Sequence, residues 1–309
     1  MHIRIALAAL GLIAAGAGHA QPCSQHLLVS GYFSSNVAIY DACSGVYLRQ
    51  LELAERIEGA QAVRYHAADQ LIYVVSEGND QIQRYRPGAG YAFVDVFAQL
   101  AGNVDPTGIA FGPKGEVYVA SYGTSSVLEL DPVDGEAIGV VLPSDSGLQG
   151  ADNGMMVSAD GLLYVPGYDS SSVARVDLAN GAVQAAFIPT GSQGLLNSRG
   201  IVDEGETILV GGEGSGAIYR FNAGNGSFIE TLVTGLNRPT GMALAADGTL
   251  LVLAGNRVRR YDRGTGADLG ILASGVDGGI SGGTFLALVP NPELDVVFAD
   301  GFDAVNRTD

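Results

Sequence analysis

Tyr32, Glu77, Tyr122, Tyr168 and Glu213 share one recurring position, each three residues after a valine (Val29, Val74, Val119, Val165, Val210) that opens the same spacing pattern. Three phenol rings and two carboxylates round one opening make an aromatic, acidic mouth suited to a cation or to a sugar-like ring stacked on tyrosine. A single tyrosine at a strand end packs over its neighbour with the hydroxyl in water, so it is the set that marks a ligand face. A second recurring position holds Gln61 or Ala62, Thr107, Asn153, Arg199, Thr240 and Gly282, with Asp105 and Asp152 in the same entering loops. Asn153, Asp152 and Asp105 offer oxygens, and calcium, which takes about six to eight of them, is the metal such a set suits.

Other chemistries lack their residues. Beyond position 20 only two histidines remain. His26 opens a hairpin and His66 sits in a turn on the far face, so neither is placed for a Ser-His-Asp relay. No histidine pair has zinc spacing. The glycine-rich "VGGEGSG" at 210–216 is followed by neither helix nor lysine, which rejects a phosphate loop.

The elements that position these residues follow from the valines. From Val119, an apolar Val127 stands at plus eight, Asp131 at plus twelve and Gly135 at plus sixteen. The same ruler gives Val37, Asp41 and Gly45 from Val29, and Ile82, Arg86 and Gly90 from Val74. It gives Val173, Asp177 and Gly181 from Val165, and Ile218, Asn222 and Gly226 from Val210. A copy from Val252, two residues shorter in its first loop, gives Val258, Asp262 and Gly266. Each copy reads as strand, small-polar loop, strand, turn and strand, with Asp capping the turn and Gly supplying positive φ. A further strand precedes five copies, as in "GIAFGPKG" and "GMALAADG", and leading glycines recur every 41 to 46 residues. Four antiparallel strands per repeat of this length predict an all-β propeller. Plus eight and plus eleven are apolar in every copy, and that odd spacing puts them on opposite faces of one strand, as in a sheet buried between neighbours.

The first unit lacks its leading strand, and "GGTFLALVP" at 282–290 is a strand without a unit. Pairing the two closes a ring of six blades and hides an open sheet edge. A seventh blade built on "LDVVFAD" (294–300) is the architectural alternative. Cys23 and Cys43 flank a hairpin turning near Ser34, so they meet at its open end and are expected to form a disulfide. In the chain-entropy account, closing such a loop stabilises by roughly 3 kcal/mol.

The first twenty residues carry Arg4, an apolar stretch from Ile5 to about Ala17 and small residues up to Ala20. They read as a secretory leader cut after Ala20. The expected division is a leader at 1–20, a propeller at 21–299 and a tail at 300–309, whose "FADGFD" neighbourhood is similar to short ends of other exported bacterial proteins. The net charge of −17 becomes one unit more negative when Arg4 leaves with the leader. Such a surface repels nucleic acid and anionic lipid. A periplasmic or secreted monomer is expected, with a small molecule or a protein as partner at the channel mouth, and with neither nucleic-acid binding nor membrane insertion.

Units such as "PTGIAFGPKGEVYVASYGTSSVLELDPVDG" (106–135) resemble the six-bladed NHL/SMP-30-like propellers, which include the virginiamycin B lyase and gluconolactonase branches. "DNGMMVSADGLLYV" (152–165) is similar to the gluconolactonase segment in which an Asn before Gly binds metal, a role that the resemblance would give to Asn153. The family's Asp-Gly ligand in the next blade is here Ser198-Arg199-Gly200, its N-terminal Glu-Gly ligand has no counterpart, and the lyase histidines are missing. The preferred expectation is a non-catalytic propeller that binds a ligand or partner on its upper face. The alternatives are a divergent calcium-dependent lactonase or hydrolase using Asn153, Asp152, Asp105 and Glu213, and a structural role in the cell envelope.

Overall fold

The spacing ruler has a local physical cause. The structure is a computed structural model that describes residues 23–51, 56–102 and 104–294. In it, the Asp41 carboxylate accepts the backbone N–H of Cys43 at 3.1 Å and of Ser44 at 2.7 Å, and Gly45 N–H returns to the Asp41 carbonyl at 2.8 Å. Asp131, Asp177, Asn222 and Asp262 cap their turns in the same way. The glycine of each such turn is left-handed, with φ 72° at Gly45 and 69° at Gly266. A Cβ there would also lie 1.7 Å from the Leu272 carbonyl oxygen at Gly45 and 2.0 Å from that of Leu232 at Gly266. At Gly45, Gly135, Gly226 and Gly266 the turn packs against the outer strand of the preceding blade, whereas at Gly181 nothing stands within 4 Å of that position. Arg86 breaks the acidic position, and there a short helical turn at Pro87–Ala89, capped by Gly90, replaces the Asp-capped one.

The strands run in chain order. β1 (Gln25–Gly31), β2 (Asn36–Asp41) and β3 (Tyr47–Gln50) belong to the first sheet. β4 (Ala60–His66), β5 (Leu71–Ser76), β6 (Gln81–Arg86) and β7 (Ala92–Gln99) form the second. β8 (Pro106–Phe111), β9 (Val117–Ser121), β10 (Ser126–Leu130) and β11 (Ala137–Leu142) form the third. β12 (Met156–Val157), β13 (Leu162–Gly167), β14 (Ser172–Asp177) and β15 (Ala182–Ile188) form the fourth. β16 (Ser198–Asp203), β17 (Thr207–Gly212), β18 (Ala217–Asn222) and β19 (Phe228–Val233) form the fifth. β20 (Pro239–Leu244), β21 (Leu250–Ala254), β22 (Arg257–Tyr261) and β23 (Asp268–Ser274) form the sixth. β24 (Gly283–Pro290) returns to pair antiparallel with β1, matching Leu28 to Ala287, and completes the first sheet.

Six four-stranded antiparallel sheets thus ring a central axis, and the ring is closed by the chain's far end. The leader at 1–20, nearly all of "LDVVFAD" and the tail at 300–309 lie outside the described residues. Among the described residues no helix is long and apolar enough to cross a membrane.

Burial matches the two-faced pattern. The plus-eight residues Val37, Ile82, Val127, Val173, Ile218 and Val258 are buried, as are the plus-eleven residues Tyr40, Tyr85, Leu130, Val176, Phe221 and Tyr261. Each third strand is therefore covered on both faces by adjacent blades. Cys23 and Cys43 are bridged, with Cα atoms 5.7 Å apart at the open end of the β1–β2 hairpin. That bond fits an oxidising compartment.

Candidate ligand site at the channel mouth

Six equivalent residues shape the upper face. The residue before the innermost strand is left-handed in five blades, Gly59 (φ 65°), Asp105 (43°), Asn197 (50°), Arg238 (52°) and Gly282 (64°), and in the fourth blade its counterpart is Gly150 (66°), just before the bridge of Ala151 to Gly167. Their carbonyls accept the backbone N–H of Glu77, Tyr122, Tyr168, Glu213, Gly255 and Tyr32 respectively, at 2.8 to 3.4 Å. The loop entering strand one and the loop between strands two and three are thereby tied together in every blade. Glycine at three of these positions also makes room, since a Cβ would lie 2.8 Å from the Tyr32 ring on Gly59, 2.9 Å from the Tyr122 ring on Gly150 and 2.5 Å from the Phe33 ring on Gly282. Just after this residue each innermost strand bulges against its neighbour, for example between Pro106 and Gly108 and between Pro239 and Gly241. Bulges re-aim side chains at the rims of such sheets.

The mouth is a cavity of about 500 Å³. Tyr32, Glu77, Tyr122, Tyr168, Arg199 and Asp152 line it. Glu213 lies behind Arg199, Asn153 lies beneath Gln61, and Asp105 is not on the cavity wall. Arg199 is the centre of the charges. Its Nε is 2.8 Å from Asp152 and its Nη1 is 2.7 Å from Glu213, while the guanidinium carbon stands 5.4 Å from the Tyr168 ring centre. Glu213 in turn receives Arg238 at 2.6 Å. Burial pushes the Glu213 carboxyl up, but Arg199 and then Arg238 outweigh it and hold it below the usual carboxylate range. Burial raises the Asp152 carboxyl against the pull of Arg199.

The other carboxylate of the mouth is differently placed. Glu77 accepts the Tyr32 hydroxyl at 3.4 Å and the Gln61 amide, both neutral donors. Burial, with the charges of Asp152 and Asp105 behind it, raises its carboxyl above the ordinary value. Tyr122 donates to Asp169 at 3.1 Å, and burial followed by that bond pushes its hydroxyl up to about 12.

The floor is sealed by groups reaching across the ring. Asn153 Nδ2 donates to Gln61 Oε1 and to the Thr284 carbonyl, each at 3.1 Å. Arg64 donates to the Ile109 carbonyl at 3.1 Å and the Met155 carbonyl at 2.7 Å. Hydroxyls staple innermost strands together, with Thr107 donating to Ala151, Thr240 to Gly283 and Thr284 to Ala60. The mouth is a dead-end pocket, of the concave kind that suits a small ligand.

Asn153 reaches the axis because β12 is only two residues long. Its register pairs Met156 with Tyr164 and Val157 with Leu163, while Ala151 bridges Gly167. Between them the chain leaves the ladder opposite Pro166, whose nitrogen has no hydrogen to donate. Asp152 N–H takes up the Pro166 carbonyl at 3.1 Å, and Asp152 and Asn153 turn inward.

These residues do not fit calcium. Asp152 is committed to a guanidinium, and Asp105 lies off the cavity wall. Among the described residues, His, Cys, Asp and Glu side chains converge to metal-binding distance only at Cys23, Asp41 and Cys43, whose sulfurs are already joined. Of Asn153, Asp152 and Asp105, only Asn153 offers a buried oxygen without a hydrogen-bond partner, its Oδ1.

Sequence reasoning did not single out Arg238, Asn237, Asn256 or Phe33, which also line the mouth. Counting back three residues from the leading glycines Gly108, Gly200 and Gly241 finds Asp105, Asn197 and Arg238 at one structural position, and that signal was present in the spacing.

No protein-family model matches the sequence, and no curated protein matches it. Solved structures do. A chain of a nidogen/laminin complex is similar at a TM-score of 0.71 and 13% identity, over 86% of this chain and 99% of that one. A catalytically inactive virginiamycin B lyase from Staphylococcus aureus, crystallised with quinupristin, gives 0.58 and 11% over 80% and 84% of the two chains. A protein described as a putative gluconolactonase gives 0.58 and 16% over 70% and 78%. What is shared at these identities is the fold.

Proposed function

We propose that this protein is a binding propeller that holds a small-molecule ligand in the channel mouth and does no chemistry on it. Tyr32, Glu77, Tyr122 and Tyr168 contact the ligand, and Arg199 with Glu213 forms the rigid wall behind it. The observation that carries the reading is the clamp on Arg199, whose contacts at 2.8 Å to Asp152 and 2.7 Å to Glu213 spend the central carboxylates on an internal cation. A metal ligand set needs several carboxylates that are free to act, and Glu77 alone is left without an ion partner among the described residues. In this reading residues 1–20 are a leader removed on export, residues 21–299 are the working domain, and the protein acts as a monomer outside the cytoplasm.

The test is calorimetric titration of the full mature chain with a panel of neutral saccharides, organic ammonium ions and small carboxylates, run beside a lactone-hydrolysis assay. Binding that disappears in Tyr122→Ala, with hydrolysis at background, supports the reading. Hydrolysis above background that is lost in Asn153→Ala overturns it. One observation favours the alternative of a divergent calcium-dependent lactonase, namely the unpartnered buried Oδ1 of Asn153. Calcium decides between them: the binding reading expects no melting shift on adding calcium, whereas a shift that vanishes in Asn153→Ala favours the hydrolase.

A further inference from the structure

The ionisable groups on the cavity wall are not equally satisfied. Asp152 is paired with Arg199, and Arg238 with Glu213. Glu77 has no cation within ion-pair distance among the described residues, only the Gln61 amide and the Tyr32 hydroxyl. A half-buried carboxylate answered by neutral donors alone retains its attraction for a positive charge.

The surroundings of Glu77 suit a cation of one kind. Tyr32 and Phe33 meet edge to face at 5.4 Å, Tyr122 and Tyr168 at 6.4 Å, and all four rings line the same cavity as Glu77. Aromatic faces attract cations through their quadrupole, and most strongly where water is displaced. Tyr168 already holds the internal guanidinium of Arg199 in this manner. A metal ion needs several converging oxygens, and of the two carboxylates on the wall Asp152 is held by Arg199, which leaves Glu77 among rings and amides; an organic cation is the better match. The chain's net charge of −17 adds a field that draws cations in.

We propose, resting on the binding reading above, that the ligand carries an organic ammonium group seated against Glu77 and the rings of Tyr32, Phe33 and Tyr122. The rest of the ligand extends toward Asn237, Asn256 and Arg238 of the sixth blade, which line the same cavity and offer amides and an exposed guanidinium to its polar end.

The experiment titrates the full mature chain at low ionic strength with choline chloride and, separately, with its neutral tert-butyl isostere. The expected result is measurable choline binding, with the isostere about tenfold weaker or more. Glu77→Gln should weaken choline by a similar factor, and Tyr32→Leu should weaken it without any change in net charge. Glu136→Gln, an exposed carboxylate in an outer turn that matches the charge change, should leave it unaltered. The inference fails if the isostere binds as well as choline, if Glu77→Gln binds choline like the wild type, or if Glu136→Gln weakens it equally. If choline does not bind but a neutral saccharide or a carboxylate does, the ammonium inference fails and the binding reading stands. If no probe in the panel binds, both fail.

Discussion

Removing the guanidinium at 199 tests the clamp directly. Arg199 is 9% exposed, Asp152 2% and Glu213 5%, so the three charges sit largely out of water. In Arg199→Met, Glu213 keeps Arg238, whose side chain is 68% exposed and can be hydrated. Asp152 loses the one cation it touches. The variant therefore leaves one uncompensated buried carboxylate, and breaking a buried pair in this way costs roughly 3–5 kcal/mol. For a chain of this size that is a fall in Tm of roughly 6–20 °C, read by circular dichroism. The pH dependence has a fixed sign. Without Arg199 the Asp152 carboxyl is held up by burial, with the Glu213 charge adding to it, so the folded state keeps a proton that the unfolded state gives up. The deficit is greatest at neutral pH and shrinks as pH falls toward the ordinary carboxylate range near about 4. Adding Asp152→Asn to Arg199→Met removes the stranded charge and should recover most of the loss. A single variant melting within about 2 °C of the wild type, or a double variant no better than the single, would refute the reasoning.

Two further outcomes follow from the same geometry. Gly154→Ala places a Cβ 1.8 Å from the Arg199 carbonyl oxygen, a backbone atom that can yield only if two blades part. It should cost about 1–3 kcal/mol or more and weaken ligand binding with it, whereas Gly181→Ala, with φ 74° and nothing within 4 Å, should cost only the left-handed strain of about 1–2 kcal/mol. Urea melts of the two variants compare them directly. Glu77→Gln acts on pH dependence. Because burial raises the folded Glu77 carboxyl above its unfolded value, wild-type stability falls as pH rises through the window between the two. The variant should melt higher than wild type at neutral pH and equally below about pH 4, and a Tm series across that range checks it.

The blade was legible because its instructions are local. Asp131 caps its own turn through the N–H of Val133, two residues on, and Gly135 closes it four residues on. Such contacts repeat at fixed spacing whatever the rest of the chain does. Ring closure was legible by counting strands, since a unit short of its first strand at one end and a strand without a unit at the other have one economical solution. The disulfide follows from the hairpin that carries it.

The charge state of the mouth was decided only by tertiary structure. Asp152 and Arg199 are 47 residues apart, and Asn153 and Gln61 are 92 apart. In each pair the two residues belong to different blades, and nothing in the spacing of one blade states how far its neighbour is rotated about the axis. Arg199 reads in the sequence as an intruder beside a candidate metal set. In the folded ring it is the cation around which Asp152 and Glu213 close, leaving Glu77 as the carboxylate that faces the cavity without an ion partner among the described residues. Local turns and alternating burial are set by short-range sterics and hydrogen bonds, which sequence spacing encodes. Pairing across a channel depends on a few ångströms of inter-blade placement and on the bulge opposite Pro166, and only the assembled ring fixes both.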